Sequence, residues 1–189
     1  RASRRLLFVS HSAAACWAQR FDAADKAVVV PNVIDAESLG FRPDARAVLR
    51  ARHGLDEAEV VFFAGVFMIR KGLDVLLDAF ARLAEHRPAA RLVVAGGGFG
   101  YEGVFRALAR RLGVAERVTW LGWVDPAELP GWYSAADVVT TPSRYETFCL
   151  VLAEAMACER AVVAAAAGGM PEVLGVDSAD APADAPAGV

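Results

Sequence analysis

The run Val60-Val61-Phe62-Phe63-Ala64-Gly65, followed by Lys71-Gly72-Leu73 and then by Leu76, Leu77, Phe80 and Leu83, decides the fold. Apolar residues without alternation read as a strand buried on both faces. The i, i+3, i+4, i+7 spacing behind the glycine reads as an amphipathic helix, which Pro88 closes. The unit recurs downstream. Residues 91–95 form a strand that runs out into Gly96-Gly97-Gly98-Phe99-Gly100, and Phe105, Leu108, Ala109 and Leu112 mark a helix stopped by Gly113. Residues 118–121, Val138–Thr141 and Ala161–Ala164 are three further continuously apolar strands. Strands alternating with helices in this way predict an α/β domain with a doubly wound parallel sheet, Rossmann-like in plan.

Outward from that centre the pattern loosens. Residues 6–10 predict a strand, 13–20 a helix, and 27–30 a strand that stops at Pro31-Asn32. A charged stretch without clear periodicity runs from Asp35 to about Glu59. After Gly175 the composition turns to Ala, Asp, Pro and Gly without an aromatic residue, too little apolar surface to offset the entropy of ordering. The chain therefore divides into residues 1–35, a main domain over 36–175 and an expected mobile tail over 176–189.

Composition narrows the function. The 189 residues carry 20 basic and 23 acidic side chains, a net charge of −3, and 56% are apolar. That balance excludes a disordered chain and a nucleic-acid binder acting through bulk positive charge. Three cysteines, Cys16, Cys149 and Cys158, cannot all pair and lack zinc-knuckle spacing, which favours a reducing, cytoplasmic setting. The apolar run after Arg4-Arg5 ends within four residues, short of the roughly 7–15 an export signal needs. No Asp-x-Asp pair, metal-ligand cluster, Gly-x-Ser-x-Gly elbow or Walker loop occurs. No metal site is therefore expected.

In an open parallel sheet ligands bind beyond the carboxyl ends of the strands, so the loops there hold the candidates. In the first, Gly65 to Gly72, Arg70 and Lys71 bring two cations to a helix N-terminus. Cations oppose the helix dipole there, an arrangement that makes sense when an anion shares the site. The plainer reading is a solvated basic pair. The second loop, Gly96–Gly100, lacks G-x-G-x-x-G spacing and an acidic partner after the next strand, so close packing is favoured over dinucleotide binding. In the third, Glu146 follows a strand and Glu154 lies eight residues on, inside a helix of Leu, Val, Ala and Met. A carboxylate among such neighbours needs donors, either a core arginine or the hydroxyls of a ligand. The helix start near Phe148 aims backbone N–H groups outward, which suits phosphate. The fourth, Gly168-Gly169-Met170-Pro171-Glu172, shows only ordinary helix-start signals.

Taken in order, these pieces resemble the C-terminal half of a retaining glycosyltransferase of GT-B architecture, of the glycosyltransferase family 4 or group 1 type. The resemblance rests on Val30-Pro31-Asn32-Val33-Ile34-Asp35 with Phe41-Arg42-Pro43, on Lys71-Gly72-Leu73 through Phe80, and on Arg91 through Gly96. It continues in Arg117-Val118 with Leu121-Gly122, Tyr133-Ser134-Ala135-Ala136-Asp137-Val138, the E-x7-E spacing of Glu146 and Glu154, and Gly168 to Glu172. It spans roughly residues 1–174. It implies a nucleotide-diphosphate sugar as donor and co-substrate, with no separate cofactor. Glu146 would contact the transferred sugar as the catalytic residue, Glu154 the ribose, and Lys71 with Arg70 the diphosphate. Phe148, Cys149 and Leu150 would offer backbone amides, and Gly65, Gly97 and Val124 would border the donor. The acceptor is left open; relatives modify lipid or cell-wall acceptors, which would place the protein peripherally at the inner membrane face.

The sequence departs from that family at Val66, where Arg is usual, and at Cys149 and Glu159, where Gly is common. Losing one charge-assisted contact to the diphosphate would cost about 1.5–3 kcal/mol. Residues 1–35 resemble only the end of the N-terminal GT-B domain and the linker after it, with its final strand pairing left without partners. The expectation is a truncated product that carries the donor site and does not turn over alone, a separate or missing N-terminal domain supplying the acceptor side. A non-catalytic nucleotide-sugar-binding module and an inactive remnant are the alternatives; a dehydrogenase or an epimerase ranks below them.

Overall fold

Phe62 and Phe63 are neighbours in one strand, both essentially sealed from solvent, and they serve two different cores. Successive strand residues face opposite sides of a sheet, so a strand with both faces buried must carry apolar residues without a break. The structure is a computed structural model and describes residues 4–21 and 24–176. Its main sheet has five parallel strands: β3 (Glu59–Ala64), β4 (Ala90–Ala95), β5 (Val118–Gly122), β6 (Val138–Thr141) and β7 (Ala161–Ala164), in the order β5-β4-β3-β6-β7. On one face Phe63, Phe67 and Leu92 pack with Leu73, Leu77 and Phe80 of α3 (Leu73–His86) and Phe105 of α4 (Glu102–Arg111). On the other, Phe62, Val93 and Val139 pack with Trp132 and Tyr133 of α5 (Leu129–Ala135) and Ala155 of α6 (Leu150–Ala157). Each fully buried Phe or Leu contributes about 1.5–3 kcal/mol, so both faces are needed to hold the sheet.

The expected α/β fold is therefore present, with one end each of β3, β4 and β5 shifted by a single residue and the limits of β6 and β7 as expected. Not every apolar strand is buried on both faces. In the edge strand β7 the residues alternate between exposed and half-buried, and in β5 only Val118 is fully buried. Edge strands have a neighbour on one side only.

Two helices absent from the sequence reading lie in and beyond the charged stretch. The helix α2 (Pro43–His53) starts with Pro in its first turn and ends on Gly54 in the left-handed conformation, whose N–H reaches the Ala51 carbonyl. Its arginines hid it, because they read as solvated charge. Arg46 Nη1 instead donates to the carbonyls of Ser134 (2.8 Å) and Ala136 (2.7 Å) at the end of α5, and Arg46 Nη2 pairs with Asp137 at 2.6 Å. Arg50, itself buried, donates to Ala135 O at 3.0 Å. Cations at a helix C-terminus satisfy the last carbonyls and oppose the dipole. The helix α5 was invisible for the opposite reason: Pro130 through Ala135 are all buried, so no polar face creates a period.

At the N-terminal end β1 (Leu6–Phe8) and β2 (Ala27–Val29) pair in parallel, Leu6 opposite Ala27 and Phe8 opposite Val29, as a two-stranded sheet separate from the main one. Between them α1 (His11–Ala18) starts two residues before the expected position, because the Ser10 hydroxyl accepts from Ala13 N at 3.0 Å and caps it. Glu172, in the short helix α7 (Met170–Val173), accepts from the backbone N–H groups of His11 and Ser12, both at 2.7 Å. A carboxylate against an N-terminal dipole ties this unit to the main domain. The tail expected over 176–189 lies, apart from Val176, outside the described residues. Among the described residues no helix is long and apolar enough to cross a membrane.

Candidate functional site

From β3 the chain steps outward to β4 and then β5; β6 returns to the other side of β3. The strand order reverses between β3 and β6, and a crevice opens there at the carboxyl ends of the strands. The loops that follow β3 and β6 meet in that crevice. Gly72, at φ 71°, lies so close to the following loop that a Cβ on it would sit 2.0 Å from the Pro142 carbonyl oxygen. Only glycine permits that approach.

The same meeting joins opposite charges. Lys71 Nζ donates to Glu146 Oε1 at 2.5 Å, the Ser143 hydroxyl donates to the same oxygen at 2.9 Å, and Arg70 Nη1 stands 3.4 Å from Oε2. Glu146 is buried and Lys71 half-buried; Arg70 is exposed and also donates to the Tyr145 carbonyl at 2.8 Å. A second pair locks the loops together. Arg144 grips Asp74, in the first turn of α3, through two hydrogen bonds of 2.9 and 2.7 Å, and its backbone N–H reaches the Arg70 carbonyl at 2.8 Å. The hydrogen bond from Arg144 holds the Asp74 carboxyl below its usual range.

Beside this pair lies a cleft of about 420 Å³ lined by Gly65, Val66, Lys71, Gly96, Trp123, Val124, Leu150, Tyr133 and Glu154. Lys71 thus belongs both to the cleft and to the Glu146 cluster. Glu154 reaches the cleft from the middle of α6, and its donor is neither a core arginine nor any other cation. The Tyr133 hydroxyl donates to Glu154 Oε2 at 2.7 Å. Among the described residues no ion pair involves Glu154. Burial, reinforced by the neighbouring Glu154 carboxylate, pushes the Tyr133 hydroxyl far above its ordinary range, so it stays a donor.

The remaining candidates divide. Gly65, Leu150 and Val124 line the cleft with Lys71 and Glu154. Cys149 stands at the N-cap of α6 with φ 86° and ψ 79°, the left-handed region that the expected glycine would occupy without strain, and burial pushes its thiol up. Glu159, the other replaced glycine, also has a positive φ, 58°. Gly97 does not line the cleft; it packs under Trp123, whose Nε1 would lie 3.1 Å from an added Cβ. Phe148 lines a second cleft, of about 930 Å³, with His11, Ser12, Pro31 and Glu172. Gly96 at the end of β4 would place a Cβ 1.8 Å from the Gly65 carbonyl, so the glycine run serves strand-to-strand closeness here. Among the described residues no group of three or more His, Cys, Asp or Glu could hold a metal ion.

Sequence reasoning did not single out Tyr133, Ser143, Arg144 or Asp74. Tyr133 sits 21 residues before its partner, Asp74 70 residues before its own, and neither distance leaves a periodic trace. Ser143 alone was within reach, three residues from Glu146 in the same loop.

Comparison with known proteins agrees with this geometry. The family model described as glycosyl transferases group 1 matches residues 45–179. The D-inositol 3-phosphate glycosyltransferase of Segniliparus rotundus is 46% identical over 160 residues, which cover 80% of this chain and 35% of that protein. A GDP-mannose-dependent alpha-(1-6)-phosphatidylinositol monomannoside mannosyltransferase of Mycolicibacterium smegmatis is 34% identical over 174 residues, 88% of this chain and 45% of that one. The crystal structure of Anabaena Alr3699/HepE in complex with UDP and glucose superposes with a TM-score of 0.83 at 28% identity, covering 90% of this chain and 46% of that one. The chain thus spans between a third and half of the length of these relatives. Its five-stranded parallel sheet is the one found in GT-B glycosyltransferases. The match over residues 45–179, with the fold to go with it, establishes that the chain belongs to the glycosyl transferases group 1 family.

Proposed function

We propose that this chain is the donor-binding half of a retaining glycosyltransferase that takes a hexosyl group from a nucleotide-diphosphate sugar. The observation that carries the reading is the sharing of one cleft by Lys71 and Glu154, with Glu146 held directly behind Lys71. A diphosphate in the cleft would compete with Glu146 for the Lys71 ammonium, and Arg70 stands beside the same carboxylate. Positive charge in place where the departing diphosphate gains negative charge stabilises the transition state without reorganisation. Freed from Lys71, Glu146 keeps its Ser143 hydrogen bond and can accept from a sugar hydroxyl. Glu154 would accept from the ribose. Cations rather than paired carboxylates face the leaving group, which supports a reaction that needs no metal. The acceptor side would come from another domain, and a lipid or cell-wall acceptor follows only by analogy with relatives.

Val66 favours a second reading. It lines the cleft where a further cation would strengthen the grip on a diphosphate, and its apolar side chain suits a module that binds nucleotide sugars without transferring them. Titration calorimetry of the 189-residue chain with UDP, GDP and their glucose and mannose conjugates tests the shared part of both readings. Binding of one of them, weakened about tenfold or more in Lys71→Ala, is expected. No heat with any of them, or equal affinity in Lys71→Ala, would remove the nucleotide-sugar site. Release of free sugar from the conjugate, absent in Glu146→Gln, would separate transfer chemistry from binding alone.

A further inference from the structure

Tyr133 does more than fill the core: we propose that it is a positioning residue that sets Glu154 to read the two hydroxyl groups of a ribose, and so lets the cleft discriminate ribonucleotides from their deoxy analogues. The proposal rests on the nucleotide reading above and adds to it the residue that makes the recognition selective.

Glutamate is a poor recognition group when loose. Three side-chain torsions must be fixed on binding, and the lost freedom opposes it. In this cleft one torsional state is already chosen. The Tyr133 hydroxyl holds Oε2 at 2.7 Å, while among the described residues Oε1 accepts no hydrogen bond and Glu154 lines the cleft. One oxygen is anchored and the other is left for a ligand. The anchor cannot drift. Tyr133 is fully buried, its ring meets Phe62 edge to face at 5.7 Å and 81°, and its helix is pinned on the far side where Arg42 N donates to the Ser134 hydroxyl at 3.0 Å. Burial and ring packing hold the side chain, and its O–H donates to the Glu154 carboxylate.

The charge state supports the same assignment. An ionised carboxylate only accepts, so the complement of Glu154 is a donor, and a vicinal diol offers two. A phenol neighbour supplies a hydrogen bond without neutralising the charge, as a lysine or arginine there would. The carboxylate thus keeps its strength as an acceptor for charge-assisted bonds to hydroxyls. A site built to hydrogen-bond a substrate hydroxyl rejects the analogue that lacks it, because the polar group is then left unpaired.

The test compares UDP with 2′,3′-dideoxy-UDP, and GDP with its dideoxy analogue, on the intact 189-residue chain by calorimetry. The wild type is expected to prefer the ribonucleotide by about tenfold or more. Tyr133→Phe removes a single oxygen; it should lower the preference at least about fivefold while leaving dideoxy affinity within about twofold. In a Glu154→Gln background the same substitution should change the preference no further, since the two residues act as one unit. If Tyr133→Phe weakens both nucleotides equally, or only lowers the melting temperature, the positioning role is overturned while the nucleotide site stands. If the wild type binds neither nucleotide, the nucleotide reading falls and this inference with it.

Discussion

Lys71 and Glu146, 75 residues apart in sequence, are joined at 2.5 Å across the point where the strand order of the sheet reverses. Under the proposed reading a bound diphosphate would compete with Glu146 for the Lys71 ammonium, which cannot serve both at full strength. Four predictions follow from this site and its surroundings.

Removing one partner strands the other. Lys71→Ala leaves Glu146, whose side chain is only 9% exposed, with Ser143 and a longer contact to Arg70. A loss of about 1–3 kcal/mol in urea unfolding is expected. Lys71→Ala combined with Glu146→Gln should recover more than half of it. If the double variant is as unstable as the sum of the single ones, the pair is not coupled.

Cys149 occupies a left-handed backbone position at the start of α6. Cys149→Gly should relieve strain of about 1–2 kcal/mol, offset in part by the greater freedom of an unfolded glycine. A net gain of about 0.5–1 kcal/mol, read as a rise in Tm of about 1–4 °C, is expected. Cys149→Ala keeps the β-carbon and should give no such rise; an equal rise would show that the thiol, not the backbone, was the burden.

The Arg144–Asp74 latch makes stability depend on acid. Asp74 has a native pKa below the unfolded value of 3.8, chiefly through the hydrogen bond from Arg144. Its contribution is therefore present above the unfolded pKa and disappears as pH falls through the lowered native one. Asp74→Asn should cost about 0.5–1 kcal/mol at pH 7, with the gap to wild type closing as pH falls below the unfolded value of 3.8. A gap that is constant with pH would assign the loss to packing at the start of α3 instead.

Val66 tests the phosphate reading directly. Placed in the cleft beside Lys71, Val66→Arg should raise UDP affinity by about tenfold, through one added charge-assisted contact. Uridine, which has no phosphate, should gain nothing. An equal gain for uridine would mean that the arginine stacks on the base or merely fills space.

Much of the fold could be read before any coordinates. The strands Val138–Thr141 and Ala161–Ala164 have the limits that their apolar runs mark, and α3 follows the spacing of Leu73, Leu76, Leu77 and Phe80. Such runs signal structure because burial demands unbroken apolar faces. The reading failed where burial and polarity part company. Arg46 and Arg50 look like solvent-exposed charge, yet they bond the carbonyl end of α5, so α2 passed for a loop. Phe148 was named for the backbone N–H groups at the start of α6; that the residue also lines the other cleft is a feature of the tertiary structure that no local pattern shows.

By itself the sequence determined the alternation of strands and helices, the parallel sheet and the charged or glycine-bearing loops at strand ends, since these follow from local periodicity and backbone preference. Only the tertiary structure decided that Tyr133, not an arginine, holds Glu154, and that Lys71 faces both Glu146 and the cleft. Those neighbours come from strand pairings and helix packing between distant segments. A contact between residues 21 or 75 positions apart leaves no repeat in the chain, because its energy depends on where whole elements settle.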